Sequence, residues 1–374
     1  MNTFDYSLSD VQAMPVTPVA PADFDFGRYQ AYASAADQRY AAFLQKKEGV
    51  AVWQRVRVSE VFSDGCKDMQ QSLHWQLGGL TKSMSYSTDA PAYLEPWYGI
   101  GVTASAFGSD YAWPVGQAPV VKPMYQSLAD FPDLLSHDFK KVPIMKHILA
   151  MIEYFLEETK GRLPLSWTDI QNPLNVATEL MDINNFFLAL VDEPDKVQGL
   201  LAAIADVVIN FSQEQTVLIS DALAKPGHGF ASSRTGYGIG MSCDNLLMIS
   251  PRMYETLSIP VDARIGAHFG GTAIHSCGNW ARWAPTVKKI ENLVMVDGAF
   301  TPKTDPDYNQ CETFRDVFVN SNVVVQARMV GDPDEVLEYV QRIWAPGMKL
   351  IVVTYVQDVQ AQHQLYLDIH QLCK

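Results

Sequence analysis

Positive charge is scarce in this 374-residue chain. The 28 Lys and Arg stand against 42 Asp and Glu, a formal net charge of −14, and no basic cluster exceeds two or three adjacent residues. Such a surface repels phosphate backbones and anionic lipids, so neither nucleic acid nor a membrane surface is an expected partner. Cysteine is also sparse: Cys66, Cys243, Cys277, Cys311 and Cys373 are odd in number and widely separated. That pattern excludes a disulfide framework and leaves free thiols, usable as ligands or nucleophiles or simply as small core residues. No stretch approaches 18 uninterrupted apolar residues, and the opening MNTFDYSLSDVQAMPV has neither a basic region nor a long apolar one. A soluble, cytoplasmic protein is therefore expected. Three common fingerprints are missing as well. There is no Gly-x-Ser-x-Gly elbow and no phosphate-binding P-loop, and GYGIGMSC lacks the third glycine and helix start of a dinucleotide site.

A content of 48% hydrophobic and 19% charged residues indicates an ordinary globular chain, long enough for one large domain or two smaller ones. The stretch AMPVTPVAPADFDFG is too rich in proline for a regular element, and RYQAYASAADQRYAAFLQKKEG reads as a helix. Together, residues 1–50 form an expected arm and helix lying over the domain, a position from which a homodimer contact is one arrangement.

From Val142 onward amphipathic helices alternate with short β-branched runs. Helix starts are marked by Pro143, Pro194, Ser250 with Pro251, and Pro333, and stops by Gly161 and Gly347. The strand candidates are RLPLSW, YGIGMSCDN, TAIHSC, NLVMVDG, NVVVQARM and KLIVVTYV, with a terminal helix VQAQHQLYLDIHQLCK. Strands apolar on both faces, each followed by a helix, predict a parallel sheet buried by helices, and the length of the run favours a (β/α)₈ TIM barrel over residues 51–374.

Catalytic groups of such a barrel stand on the loops after the strands. The residues so placed are Asp169, Gln171 and Asn172; Cys243, Asp244 and Asn245; His275, Cys277, Gly278 and Asn279; Asp297; Gln326 and Arg328; and Tyr355. His275 and Cys277 lie two apart in an extended segment, so imidazole and thiolate project to one side and can share a metal. The same spacing fits a hydrogen-bonded histidine and a buried cysteine at a turn made by Gly278, and two ligands alone do not make a zinc site. Asp169, Gln171 and Asn172 suit the gripping of an amide or carboxylate, but Asp169 or Asn172 also suits a helix cap ahead of Pro173. Asp244 and Asn245 face the same mouth or form an Asx-turn. Glu95, Trp97 and Tyr98 fall in an aromatic, glycine-rich run that can wall a flat ligand or fill core.

The motifs YLEPWYGIGVTASAFG, WTDIQNPLNVATEL, SCDNLLMISPRMYETLSIP, HSCGNW and GDPDEVLEYVQRIWAPG, in this order, resemble the uroporphyrinogen decarboxylase superfamily. The branch that they resemble is the cobalamin-dependent methyltransferases of the methylcobamide:coenzyme M type. The resemblance spans roughly residues 90–374 and implies a (β/α)₈ barrel. It also implies methyl transfer between a small substrate and a corrinoid carried on a partner protein, assisted by zinc on His275 and Cys277. The arginine- and glycine-bearing signature by which true decarboxylases grip their substrate has no match. In the methyltransferases a later cysteine after an APG element is expected as third ligand, and Met348 stands in that place; Cys311, Cys243, Asp244 and Glu95 are alternatives. The expected catalytic residues are Asp169, Asp244 and His275, and the expected substrate contacts are Glu95, Trp97, Tyr98, Gln171, Asn172, Asn245 and Asn279. Two other readings stand beside this one: a metal-free decarboxylase-like lyase, and a non-catalytic homologue that binds a corrinoid or tetrapyrrole.

Overall fold

The computed structural model describes residues 11–131 and 138–374; residues 1–10 of the expected arm lie outside them. After an extended segment comes helix α1 (Phe26–Gln45), capped by Asp25, whose carboxylate accepts from Arg28 N. Strand β1 (Gly49–Gln54) and helix α2 (Met69–Ser83) follow. Next are a short α3 (Val102–Ser105) and a small antiparallel hairpin, β2 (Tyr111–Ala112) with β3 (Val120–Val121). Four helices succeed it: α4 (Pro143–Thr159), α5 (Pro173–Leu180), α6 (Ile183–Asp192) and α7 (Pro194–Ile219). Alternation is then regular. Strands β4 (Ile239–Ser242), β5 (Thr272–His275), β6 (Leu293–Ala299), β7 (Val324–Met329) and β8 (Lys349–Thr354) are each followed by helix: α8 (Pro251–Leu257) with α9 (Ile259–Phe269), α10 (Ala284–Val287), α11 (Cys311–Phe318), α12 (Pro333–Ile343) and α13 (Val359–Leu372).

The proline-marked starts at 143, 194, 251 and 333 are helix N-termini, as the sequence predicts, and Ser250 Oγ caps α8 by accepting from Met253 N at 3.2 Å. The stretch after Ser250 is two helices rather than one, broken at Ser258, because Pro260 has no N–H to continue the ladder.

The sheet is parallel throughout, in the order β1-β8-β7-β6-β5-β4. Two extended segments span the gap from β1 round to β4. Residues 88–95 join β1 through Asp89 N to Val52 O at 2.7 Å. Residues 163–171 join that segment through a parallel bridge of Leu94 with Leu165, and join β4 through a parallel bridge of Gln171 with Ser242. Six strands and two segments make eight staves of an α/β barrel. Pro91 and Pro164 remove ladder donors from the two segments, which accounts for single bridges where the other staves have full ladders.

Alternation along the staves sorts side chains into two cores. Val52, Ile274, Val296, Val325, Leu350 and Val352 pack outward beneath the helices. Ala51, Trp53, Ala273, Met295, Val324, Ile351 and Val353 point inward. The loop between α7 and β4 enters the barrel and adds Phe230 and Ala231 to this interior, and Tyr40 of α1 donates to Ala231 O at 2.8 Å. Helix α1 thus closes the end where the strands begin.

Asp89 ties the first stave to both terminal helices. Its buried carboxylate accepts from Val52 N (2.8 Å), Tyr366 Oη (2.7 Å) and His370 Nε2 (2.8 Å), and Arg39 Nε lies 3.3 Å away. Burial works to raise this carboxyl, but the hydrogen bond and charge of His370 lead the opposing contributions and leave it below its ordinary 3.8. A depressed native value stabilises the fold above the unfolded-state pKa and is lost as pH falls through it. Asp89→Asn is therefore expected to lower unfolding free energy by roughly 1–3 kcal/mol at neutral pH. The gap between variant and parent should close in denaturant titrations repeated at pH values below the ordinary carboxyl range; an undiminished gap there would contradict the assignment.

Candidate active site

The inward-facing series changes character toward the ends of the strands. After Ala273 comes His275, after Met295 comes Asp297, after Val324 come Gln326 and Arg328, and after Val353 comes Tyr355. Register sets them side by side, His275 opposite Asp297 and Asp297 opposite Gln326. Apolar residues thus fill the lower barrel, and a polar cluster occupies its mouth.

Asp297 organises that cluster. It is 2% exposed, and its Oδ1 accepts from His275 Nδ1 (2.5 Å) and Arg328 Nε (2.9 Å), its Oδ2 from Gln326 Nε2 (2.7 Å). Burial pushes the carboxyl up, but the Arg328 charge and the His275 hydrogen bond outweigh it and hold Asp297 at about 2. Burial and the Arg328 cation pull His275 down, yet the Cys277 sulfur and the Asp297 hydrogen bond hold the ring at about 10. With Nδ1 committed to Asp297, Nε2 faces Cys277 Sγ at 3.4 Å and Asp244 Oδ1 at 3.8 Å. Asp244 is fixed in turn, because its Oδ1 accepts from Cys277 N at 2.7 Å. Gly278, at φ +66°, makes the turn that brings the thiol back over the imidazole, and its N–H donates to Asp305 Oδ2 at 3.0 Å. One ligand atom from each of Asp244, His275 and Cys277 lies within 4.8 Å of the other two. Ligand atoms of a tetrahedral zinc ion with bonds of about 2.0–2.3 Å are separated by roughly 3.3–3.8 Å, and the separations of His275 Nε2 from Cys277 Sγ and Asp244 Oδ1, 3.4 and 3.8 Å, fall in that range.

A second cluster stands on the neighbouring staves. Asp169 Oδ1 accepts from Gln171 Nε2 (3.0 Å) and Oδ2 from Trp97 Nε1 (3.3 Å), while Glu95 Oε2 pairs with His228 Nδ1 at 2.6 Å. Burial raises the Asp169 carboxyl; His228 opposes the shift and Glu95 adds to it. Glu179, beside Asp169, is raised well above the ordinary range by burial first and then by Asp169.

The other expected residues are divided by the fold. Asn172 is fully buried and works as a cap: its Oδ1 accepts from Asn175 N at 3.0 Å, and its amide turns away toward Ser258 and Asp262 among the helices. Asn245 donates to Thr178 Oγ1 (2.7 Å), joining two loops, and Asn279 Oδ1 accepts from Ala281 N at 3.3 Å within its own turn. Tyr98 is buried edge-on against His147 and Trp113, in the helical layer. Asn172 and Tyr98 are thus buried in supporting roles, while Asn245 and Asn279 are half-buried and hold the loops at the mouth. Met348 requires a correction: it is fully buried and directly precedes β8, at the end where the strands begin, whereas His275 closes β5 at the opposite end. A residue there cannot complete a site at the mouth. Cys243, beside Asp262 and Tyr254, and Cys311 on α11 are buried away from it, and Asp244 supplies the third group. His228 is the residue that sequence reasoning missed; its only signal is a place between Gly227 (φ +117°) and Gly229 (φ +76°), a loop built for an unusual path.

Residues 94–225 match the family profile described as uroporphyrinogen decarboxylase (URO-D). Over that segment, a little over a third of its length, the chain is similar to the uroporphyrinogen decarboxylase family. The match begins one residue before Glu95 and includes Trp97, Asp169, Gln171 and Glu179, so it takes in the second cluster except His228, which lies three residues past its end. No curated protein matches the chain. Among solved structures, a methyltransferase from Methanosarcina mazei superposes with a TM-score of 0.63 at 13% identity, covering 90% of this chain and 98% of the other. At that identity the likeness establishes the fold. No helix among the described residues is long and apolar enough to cross a membrane.

Removal of Asp297 leaves the buried Arg328 and His275 without their shared carboxylate, whereas Cys277 is exposed and supports no packing. Chemical unfolding should accordingly show Asp297→Ala destabilised by roughly 3–5 kcal/mol and Cys277→Ala changed by less than about 0.5 kcal/mol. A large loss on Cys277→Ala would assign the thiol to the fold instead of to chemistry.

Proposed function

We propose that this protein is a methyltransferase that moves a methyl group between a small substrate and a corrinoid carried by a partner protein docking at the barrel mouth, with zinc held by His275, Cys277 and Asp244. The observation that carries this reading is the trio of ligand atoms backed by Asp297, a carboxylate–histidine arrangement that aims Nε2 at the trio, where a metal would displace the Nε2 proton. The family-profile match over residues 94–225 and the fold shared with a methyltransferase support it. Zinc bound there supplies Lewis acidity, favouring the deprotonated form of a thiol or polarising a methylated heteroatom.

The chain's own residues do the rest. Asp297 fixes the tautomer and orientation of His275, and Arg328 keeps Asp297 ionised so that it accepts the Nδ1 proton. The N–H of Cys277 holds Asp244 on the open side, fixing the carboxylate beside the residue that carries the thiol. Trp97 and Gln171 line the adjoining polar wall, both bonded to Asp169.

Protein purified without oxygen is expected to carry one equivalent of zinc by elemental analysis, and His275→Ala to carry none. Asp297→Asn should retain the fold but bind zinc about 10–100-fold more weakly. Methylcobalamin with 2-mercaptoethanol as acceptor tests the transfer, read from the corrinoid spectrum. Zinc-free protein from anaerobic preparations, unchanged by His275→Ala, would sink the metal-assisted reading.

A further inference from the structure

The mouth holds a second histidine that the metal trio leaves unused. His228 rides on the loop between α7 and β4, at residues 227–231, which enters the barrel. Its side chain is 19% exposed. Its Nδ1 lies 2.6 Å from Glu95 Oε2, so the carboxylate fixes the proton on Nδ1 and leaves the lone pair on Nε2. Nε2 has no hydrogen-bond partner among the described residues; the nearest charged atom is Asp169 Oδ2 at 3.7 Å, beyond hydrogen-bond reach. Phe62 and Trp97 flank the ring, with centroids 5.8 and 6.4 Å away. The charged groups around it are the carboxylates of Glu95 and Asp169, with Arg55 and Arg57 acting on Glu95 and with Glu179 beside Asp169. An imidazole oriented by one carboxylate, with its other nitrogen unsatisfied, is the arrangement of a general base.

One side chain connects this dyad to the trio. Gln326 Nε2 donates both to Gly229 O (2.9 Å) and to Asp297 Oδ2 (2.7 Å), while its Oε1 accepts from Ala231 N (2.7 Å). The residue next to His228 and the carboxylate behind His275 are therefore separated by a single amide group. Both histidines stand over one mouth, each backed by its own carboxylate.

We propose that His228, oriented by Glu95, is the proton acceptor and donor for the substrate heteroatom that exchanges a methyl group at the His275 site. In the methylating direction, the X–H proton passes to His228 Nε2 and an X–CH₃ bond forms. The Co–C bond of the partner's methylcorrinoid breaks, and cobalt keeps the electron pair, going from Co(III) to Co(I). In the reverse direction Co(I) takes the methyl group, and the His228 imidazolium returns the proton to X. Glu95 is a positioning residue in this scheme. The inference rests on the metal-site reading above, and its test separates the two.

The test is cobalt(II)-substituted protein titrated with 2-mercaptoethanol at one fixed, mildly alkaline pH for the parent and every variant. Thiol binding is followed by the cobalt absorption, and the protons released are counted by calorimetry in buffers of different ionisation heat. If His228 takes the thiol proton, His228→Gln releases to the buffer about one proton more per thiol bound than the parent does, with cobalt content unchanged. Glu95→Gln, which keeps the imidazole but frees its tautomer, moves the count part of the way; this variant decides the matter if His228→Gln does not hold cobalt. Equal proton counts in the parent and the variants, with thiol binding intact, overturn the role of His228 and leave the metal reading standing. A parent protein that takes up neither cobalt nor thiol overturns the metal reading, and this inference with it.

Discussion

The carboxylate of Asp297 is the interaction on which the mouth of this barrel depends. A buried carboxylate must be compensated fully, and here three donors from the two strands flanking β6 do so: His275 Nδ1 on β5, and Arg328 Nε and Gln326 Nε2 on β7. Each donor is placed by parallel register and by inward alternation, so the local chemistry follows from the geometry of the sheet. The compensation also works outward. By claiming Nδ1, Asp297 turns Nε2 toward Cys277 and Asp244; by accepting from Gln326, it anchors the loop that carries His228. One charge thereby orients His275 directly and, through Gln326, braces the loop on which His228 is carried.

Much of this was legible in the chain, for identifiable reasons. The strands at β4 to β8 are apolar on both faces because helices cover one side and a filled barrel the other, and such runs are readable without ambiguity of period. Helix starts were legible wherever proline occupied the first turn. The first two staves were not. GVAVWQ follows directly on a helix and a Lys-Lys-Glu turn, and residues 88–95 contain Pro91 and pair through isolated bonds, so neither shows a rhythm to count.

The candidate site divides along the same line. Asp244, His275, Cys277 and Asp297 were visible because strand ends in a parallel barrel all face one mouth. Met348 was misplaced by reading chain order in place of geometry: a residue that follows α12 and opens β8 belongs to the opposite end, which the alternation of strands and helices already implies. Asn172 and Asn245 look like ligand contacts by residue type, yet their amides are consumed in holding loops together. His228 was invisible because nothing in the segment GHGF signals that the loop turns into the barrel; the cause is long-range, the fit of Phe230 and Ala231 into the interior.

That same loop has a consequence for traffic. Phe230 and Ala231 fill the interior, and Tyr40 of α1 packs below them, so among the described residues the barrel is a cup, filled at the end where the strands begin and open at the mouth. For the exchange proposed above, that shape implies an order: the small substrate is seated before the partner protein covers the mouth, and it leaves only after the partner has lifted away.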